Sequence, residues 1–172
     1  AMEIIEKNTK IILESGADTL LVTCPICYKV FREEYSLKGI KVIHHTQYIL
    51  DLVKSGSLQI EKGDQRVVYH DPCELGRGCG IYKEPRQLLS LAGDLVSAEK
   101  EGDESICCGG SVGSLTLNQE DRNHVTELAV NNLLFNNPDT IVTACPLCLK
   151  TFSPRVQNGV KDIAEIINSC TK

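Results

Sequence analysis

The chain has 172 residues, 42% of them hydrophobic, and a formal net charge of −5. That is enough apolar material for one packed domain, or one domain and part of another. The mild acidity, with no run of Lys and Arg, excludes a basic surface for nucleic acid or anionic lipid, and no apolar stretch reaches the ~18–20 residues of a membrane span.

Residues 3–15 show an amphipathic helical pattern in which Glu3, Glu6 and Lys7 break up the apolar positions, which does not read as an export signal. Ala1 reads as an addition before Met2. A strand over Thr19–Thr23 runs into Cys24-Pro25-Ile26-Cys27. Proline suits the first position of a helix, where its missing N–H costs nothing. A helix over 25–35 is therefore predicted, with Cys24 at its cap. A strand at Ile40–Ile43, followed by His44 and His45, precedes a helix over 46–55; both histidines are expected to be structural. Gly56, Ser57 and Gly63 mark residues 54–63 as a junction.

Beyond the junction, a strand at Arg66–Tyr69 leads into His70-Asp71-Pro72-Cys73-Glu74. This reads as another helix start, with Asp71 as cap and Glu74 at a capping-box spacing. A helix over 85–92, a strand at Asp94–Ala98 and a solvated acidic loop, Glu99–Glu104, come next. In Cys107-Cys108-Gly109-Gly110 the two thiols cannot point the same way along regular backbone. The chain must bend there, and the glycines permit it. Gly109–Gly113 has the glycine content of a phosphate loop but not the Lys-Ser/Thr of a Walker motif. A helix over 118–136 carries a solvated His124. A strand at Thr140–Thr143 then runs into Cys145-Pro146-Leu147-Cys148, which repeats the earlier device. A weaker strand at Gly159–Lys161 and a helix over 162–170 close the chain, with Cys170 as a small apolar residue.

At a constant offset of 121, Asp18, Thr19, Cys24, Pro25, Cys27, Lys29 and Phe31 fall on identical residues. Such self-similarity marks an internal duplication. Residues 64–172 read as a complete second module and residues 2–60 as the C-terminal part of a first, because nothing upstream of Met2 supplies counterparts of Cys73, Cys107 and Cys108. A piece of a longer two-module protein is the expectation; a short protein with a degenerate first repeat is the alternative. Strands alternating with helices predict an α/β fold, a layered and mainly parallel sheet flanked by helices, with right-handed crossovers. Ligands of such sheets gather beyond the carboxyl ends of the strands, where Cys24, Cys73 and Cys145 all fall.

Nine cysteines, an odd number, with Cys-x-x-Cys pairs, point to a reducing, cytoplasmic setting and to metal or redox work. Cys73, Cys107, Cys108, Cys145 and Cys148 form the soft donor set, with 33 residues between the first two and 36 between Cys108 and Cys145. Four thiolates satisfy an ordinary iron–sulfur cluster or a structural zinc, so a fifth asks for another explanation. Free N–H groups and the dipole at a helix start favour thiolate at Cys145 and at Cys24.

The order Cys, Cys-Cys-Gly, Cys-x-x-Cys, headed by His70-Asp71-Pro72-Cys73-Glu74-Leu75-Gly76-Arg77, resembles the cysteine-rich CCG domain. That domain occurs in the B and D subunits of heterodisulfide reductase. It also occurs in iron–sulfur subunits of glycolate oxidase, lactate-utilisation proteins and anaerobic glycerol-3-phosphate dehydrogenase. The resemblance covers about residues 66–172, and residues 4–55 resemble the tail of a preceding copy. It implies tandem CCG modules and, as in the heterodisulfide reductase branch, a noncubane [4Fe-4S] cluster held by Cys73, Cys107, Cys108, Cys145 and Cys148. That gives the fifth thiol a use; an ordinary cubane cluster, or zinc, stays open.

The implied function is electron transfer, with disulfide reduction at the cluster, in a heterodisulfide-reductase-like oxidoreductase. The alternatives are an electron-relay subunit of a 2-hydroxyacid (glycolate or lactate) or glycerol-3-phosphate dehydrogenase, and a zinc-stabilised interaction module. Implied partners are flavin-bearing or ferredoxin-type iron–sulfur subunits, and peripheral association with a membrane complex is compatible with this. Cys24 and Cys27 are expected to form an incomplete first-module site, as free thiols, a disulfide or an adventitious metal site. Cys79 reads as a spare ligand, an oxidation partner or a buried thiol. No catalytic residue is assigned; His70 is the candidate for a hydrogen bond to sulfur or for proton donation, with a structural role as the alternative. Arg77 either offsets cluster charge or is an ordinary surface arginine. Loss of the cluster in air is expected, leaving the loops 73–83 and 107–115 mobile or disulfide-linked.

Overall fold

A computed structural model describes residues 2–110, 115–157 and 159–172. The first unit contains α1 (Met2–Glu14), β1 (Thr19–Val22), α2 (Pro25–Glu33), β2 (Lys41–His44) and α3 (His45–Lys54). The second contains β3 (Arg66–His70), α4 (Lys83–Ala92), β4 (Asp94–Val96), α5 (Gln119–Leu133), β5 (Thr140–Thr143), α6 (Pro146–Phe152), β6 (Val160–Asp162) and α7 (Ile163–Ser169). β1 pairs in parallel with β2, and a four-stranded parallel sheet has the order β4-β3-β5-β6. The α/β reading holds, with parallel sheets flanked by helices.

Of the apolar runs read as strands, the central β3 and β5 are buried on both faces, as central parallel strands are, whereas β1, β2, β4 and β6 keep exposed positions. Val67 and Val68 of β3, and Ile141 and Val142 of β5, are fully inaccessible. On one face Val67, Tyr69 and Val142 pack against Leu88 and Leu89 of α4 and Ile163 and Ile167 of α7. Val22, Tyr28 and Leu50 of the first unit join that cluster, so the two units share a core. On the other face Val68 and Ile141 pack against Ala129 and Leu133 of α5 and Phe152 of α6. Cys108, Cys145 and Cys148 are embedded in this second cluster.

The chain steps from β3 outward to β4, then crosses back over β3 to β5. This reversal opens a crevice beyond the carboxyl ends of β3 and β5. No helix among the described residues is long and apolar enough to cross a membrane.

Three expectations are corrected. β4 ends at Val96 rather than Ala98. The Ala98 N–H instead donates to Glu101 Oε1 at 2.9 Å and the Glu99 N–H to the Asn132 carbonyl at 3.1 Å, drawing the chain toward the end of α5. α5 stops at Leu133 rather than 136, and Asn137 takes a positive φ of 48° in the turn that follows. No α-helix starts at Pro72. Residues beyond it run through successive turns, with the N–H groups of Leu75 and Gly76 both donating to the Pro72 carbonyl. Asp71 does not cap them, because Arg86 holds its carboxylate.

His44 and His45 lie in the seam between the units. Their ring centroids are 4.3 Å apart, His44 Nδ1 meets Thr46 Oγ1 at 2.8 Å, and His45 Nε2 lies 3.5 Å from Asp162 Oδ1 of the second unit. Burial, reinforced by the His45 ring, lowers the His44 pKa from 6.5 to about 3. A depressed histidine pKa favours the fold above the unfolded-state value, and that stability is lost as pH falls toward the folded one. Between pH 7.5 and 5.5 this one group should remove about 1.4 kcal/mol. Urea unfolding at both values should show the wild type losing that much more than His44→Gln; equal losses would contradict the assignment.

Candidate metal centre

Each of the three thiol-bearing segments follows a strand of the second sheet. Cys145 caps α6, Pro146 opens the helix, and the Leu149 N–H closes its first turn on the Cys145 carbonyl at 3.0 Å. Cys148 therefore stands one turn in, facing the same crevice. Its sulfur lies 3.2 Å from that of Cys108. Cys108 is fixed by its own carbonyl, which accepts from Thr126 Oγ1 of α5 at 2.8 Å. The bend expected after it is present. Gly109 has φ 79°, and a Cβ there would meet Thr126 Oγ1 and the Arg122 carbonyl, while one at Gly110 would collide with Thr151. Only a Gly-Gly turn passes between α5 and α6 here. The Cys107 thiol touches those of both Cys108 and Cys73. Cys73, Cys107, Cys108, Cys148 and Cys145 thus form one unbroken run of neighbouring sulfurs at the carboxyl rim of the sheet. Ser111, Val112 and Gly113 of the phosphate-loop-like stretch lie outside the described residues.

The electrostatics of this run fit a metal core. The hydrogen bond with Cys107, then burial, raises the Cys73 pKa. The Cys107 contact pushes Cys108 up to about 12, although Cys148 acts in the opposite sense. Cys108 and Cys145 raise Cys148 well above its ordinary value. Cys145 falls, to about 7, because the Cys148 thiol and the N–H groups of Cys148 and Leu147 at the start of α6 hold its thiolate. A thiolate held at the helix start raises the cost of ionising its neighbours. Full ionisation of five touching thiols needs positive charge among them, which a metal supplies.

His70 ends β3 on the same face as these sulfurs. It is 2% exposed, stands edge-on to Phe152 with centroids 4.8 Å apart, and its Nε2 has no hydrogen-bond partner. Ligand atoms of His70, Cys108 and Cys148 lie within 4.8 Å of one another.

Sequence reasoning missed the clamp that delivers Cys107. Asp71, 2% exposed, accepts from Arg86 Nη1 and Nη2 at 2.5 and 2.7 Å and from the Gly102 N–H at 3.0 Å. Ser105 Oγ donates to the Asp71 carbonyl at 3.2 Å. Arg77 Nη1 donates to the carbonyls of Asp103 and Ser105 at 3.0 and 2.9 Å and so fastens the loop, while its charge is felt at His70. The acidic run before Cys107 is therefore tied to the residues flanking Cys73. Its sequence signal was two arginines with no obvious use, one on each side of Cys79.

The other cysteines lie apart from the run. Cys24 and Cys27 touch each other, and Cys27, which is exposed, has its pKa raised by burial of its thiol and by Cys24, with a smaller contribution from Cys145. The two Cys-Pro-x-Cys helix starts therefore face one another across the seam. Cys79 packs against the first core cluster, in the field of Arg32, Lys29, Glu33 and Glu74, and its burial raises its pKa. Cys170 caps α7 and donates to the Ala92 carbonyl at 3.4 Å, at the opposite end of the sheet. His124 is exposed on α5.

Replacing Arg86 with Leu strands the buried Asp71 carboxylate, a change that typically costs about 3–5 kcal/mol. Urea unfolding should show a loss of that size, and metal retention should fall although every thiol is intact. Unchanged stability and metal content would show that the clamp does not hold the site.

The family model of the cysteine-rich domain, CCG, matches residues 67–153, the segment that holds all five thiols. The chain is 30% identical over 182 residues to the EtfAB:quinone oxidoreductase of Syntrophomonas wolfei subsp. wolfei, covering 95% of this chain and 26% of that protein. It is 34% identical over 163 residues to a probable membrane-anchored ferredoxin of Chromohalobacter salexigens, covering 86% and 24%. It is 32% identical over 156 residues to the D subunit of the dihydromethanophenazine:CoB–CoM heterodisulfide reductase of Methanosarcina acetivorans, covering 86% and 38%. It spans well under half the length of these curated relatives. With the thiol-bearing strands, the Gly-Gly turn and the Cys-x-x-Cys helix all inside the matched segment, the chain belongs to the cysteine-rich CCG domain family.

Proposed function

We propose that this chain is the iron–sulfur module of an oxidoreductase, transferring electrons between redox partners. The observation that carries the reading is the unbroken run of five sulfurs, three of them embedded among apolar residues. Cys73, Cys107, Cys108, Cys145 and Cys148 are its ligands, and five donors favour a noncubane [4Fe-4S] cluster over a cubane. When bound, such a cluster supplies one-electron transfer. The names of the relatives, a quinone oxidoreductase, a ferredoxin and one component of a heterodisulfide reductase, support redox work within a larger assembly.

The residues divide the labour. Cys145, its thiolate held by the Cys148 thiol and the start of α6, would be a ready ligand for the metal. Val68, Ile141 and Phe152 keep water from Cys108 and Cys148. Cys73 and Cys107 are only partly buried and form the open side, where a disulfide substrate or a redox partner has access. Partners of the flavin-bearing or ferredoxin-type class fit that side. Residues 2–60 are the tail of one module and 64–172 a second, with Cys24 and Cys27 belonging to the ligand set of the first. A cytoplasmic location matches thiols kept reduced for metal binding. Disulfide reduction is the reading for a heterodisulfide-reductase-like complex, and electron relay is the reading for a dehydrogenase complex. Thiol release from a mixed disulfide by the full-length protein decides between them.

After anaerobic reconstitution, Cys108→Ser and Cys145→Ser should each lose the visible absorbance and the bound iron, whereas Cys170→Ser should keep both. Equal retention, or equal loss, across the three variants would count against the ligand assignment.

A further inference from the structure

A buried imidazole lies beside the sulfurs with its Nε2 unpartnered, and ligand binding by the five thiols gives it no role. His70 is held at the end of β3 by the ladder to β5, in which it pairs with Thr143, and its ring is wedged against Phe152. It cannot turn toward solvent, being 2% exposed. A buried ring nitrogen without a partner is costly, and such groups are rare in folded proteins. A ring nitrogen of His70 and the sulfurs of Cys108 and Cys148 lie within 4.8 Å of one another, close enough for a small adjustment to bring an N–H onto a sulfur. As neutral thiols those are poor acceptors; as metal-bound thiolates they carry negative charge and accept well.

We propose that His70 is a positioning residue of the centre, donating its Nε2–H to a cluster-bound sulfur of Cys108 or Cys148 and so raising the reduction potential of the cluster. The proposal rests on the iron–sulfur reading above. The physical argument is charge balance: an added electron makes the sulfurs more negative, so a fixed donor stabilises the reduced state more than the oxidised one. Direct ligation by His70 is disfavoured, since five thiols already exceed the four ligands of an ordinary cluster. The rigid setting matters, because a donor that is already in place reorganises little when the electron arrives.

The test compares wild type, His70→Phe and His70→Gln after anaerobic reconstitution of the chain. Phe keeps the ring packing against Phe152 and removes the donor, while Gln places an N–H at a similar reach. All three should retain equal iron and sulfide. Potentiometry followed by EPR should place the midpoint of His70→Phe below that of the wild type. The expected size is on the order of a tenfold change in the reduced-to-oxidised ratio, about 59 mV for one electron. His70→Gln should recover part of the shift. Pulsed EPR of 15N-histidine-labelled wild type should show weak nitrogen coupling that is lost in His70→Gln, and this measurement stands even where the Phe variant fails to fold.

An unchanged midpoint in His70→Phe, or no nitrogen coupling in the wild type, would overturn the proposal. Strong coupling together with loss of iron in a folded His70→Phe would overturn it in favour of a ligand. Failure of the wild type to bind iron at all would instead sink the iron–sulfur reading itself.

Discussion

Five thiols pressed together, three of them buried among apolar side chains, cannot all become thiolates unless positive charge sits among them. The rest of the second unit is arranged around that constraint. Cys145 eases metal binding, because the Cys148 thiol and the backbone N–H groups at the start of α6 hold its anion. Cys73, Cys108 and Cys148 resist ionisation because of hydrogen bonds with neighbouring thiols and because of burial. A bare site of this kind is poised to exchange protons for metal, so occupancy and protonation are two sides of one equilibrium.

Holding the sulfurs in that arrangement takes most of the connections between β3, β4 and β5. The parallel sheet puts the strand ends at one rim, and the reversal of strand order at β3 opens the space between them. α5 grips the Cys108 carbonyl through Thr126, and the Gly109–Gly110 turn threads between α5 and α6. Asp71, Arg86 and Arg77 tie the acidic loop to the Cys73 side. Segments separated by more than thirty residues are thus fixed by bonds to backbone atoms. The same hub explains why a run of four acidic residues is tolerated beside a thiolate site: part of its backbone is bound to arginine.

What could be read from the sequence was what depends on local chemistry. Val67, Val68, Ile141 and Val142 announce buried strands because an apolar run without alternation has no solvent face. Cys-Pro-x-Cys announces a helix start because proline tolerates only a few positions, and Gly109 announces a bend because of its positive φ. What could not be read depends on choices made across the fold. Asp71 stands at a good capping distance from Glu74, but the Arg86 guanidinium, 15 residues later, takes its carboxylate and the helix at Pro72 does not form. The hydrogen bond from Thr126 to Cys108 spans 18 residues with no motif to mark it. The lack of a partner at His70 Nε2 exists only once Phe152 and the sulfurs are in place.

The most direct test is the metal itself. Iron, acid-labile sulfide and zinc should be quantified on the full-length protein purified without oxygen, with EPR recorded as prepared and after reduction. The expected result is iron and sulfide in equal amounts, about four of each for every complete five-thiol module, with a signal that changes on reduction. One zinc per chain, no iron and EPR silence would contradict it.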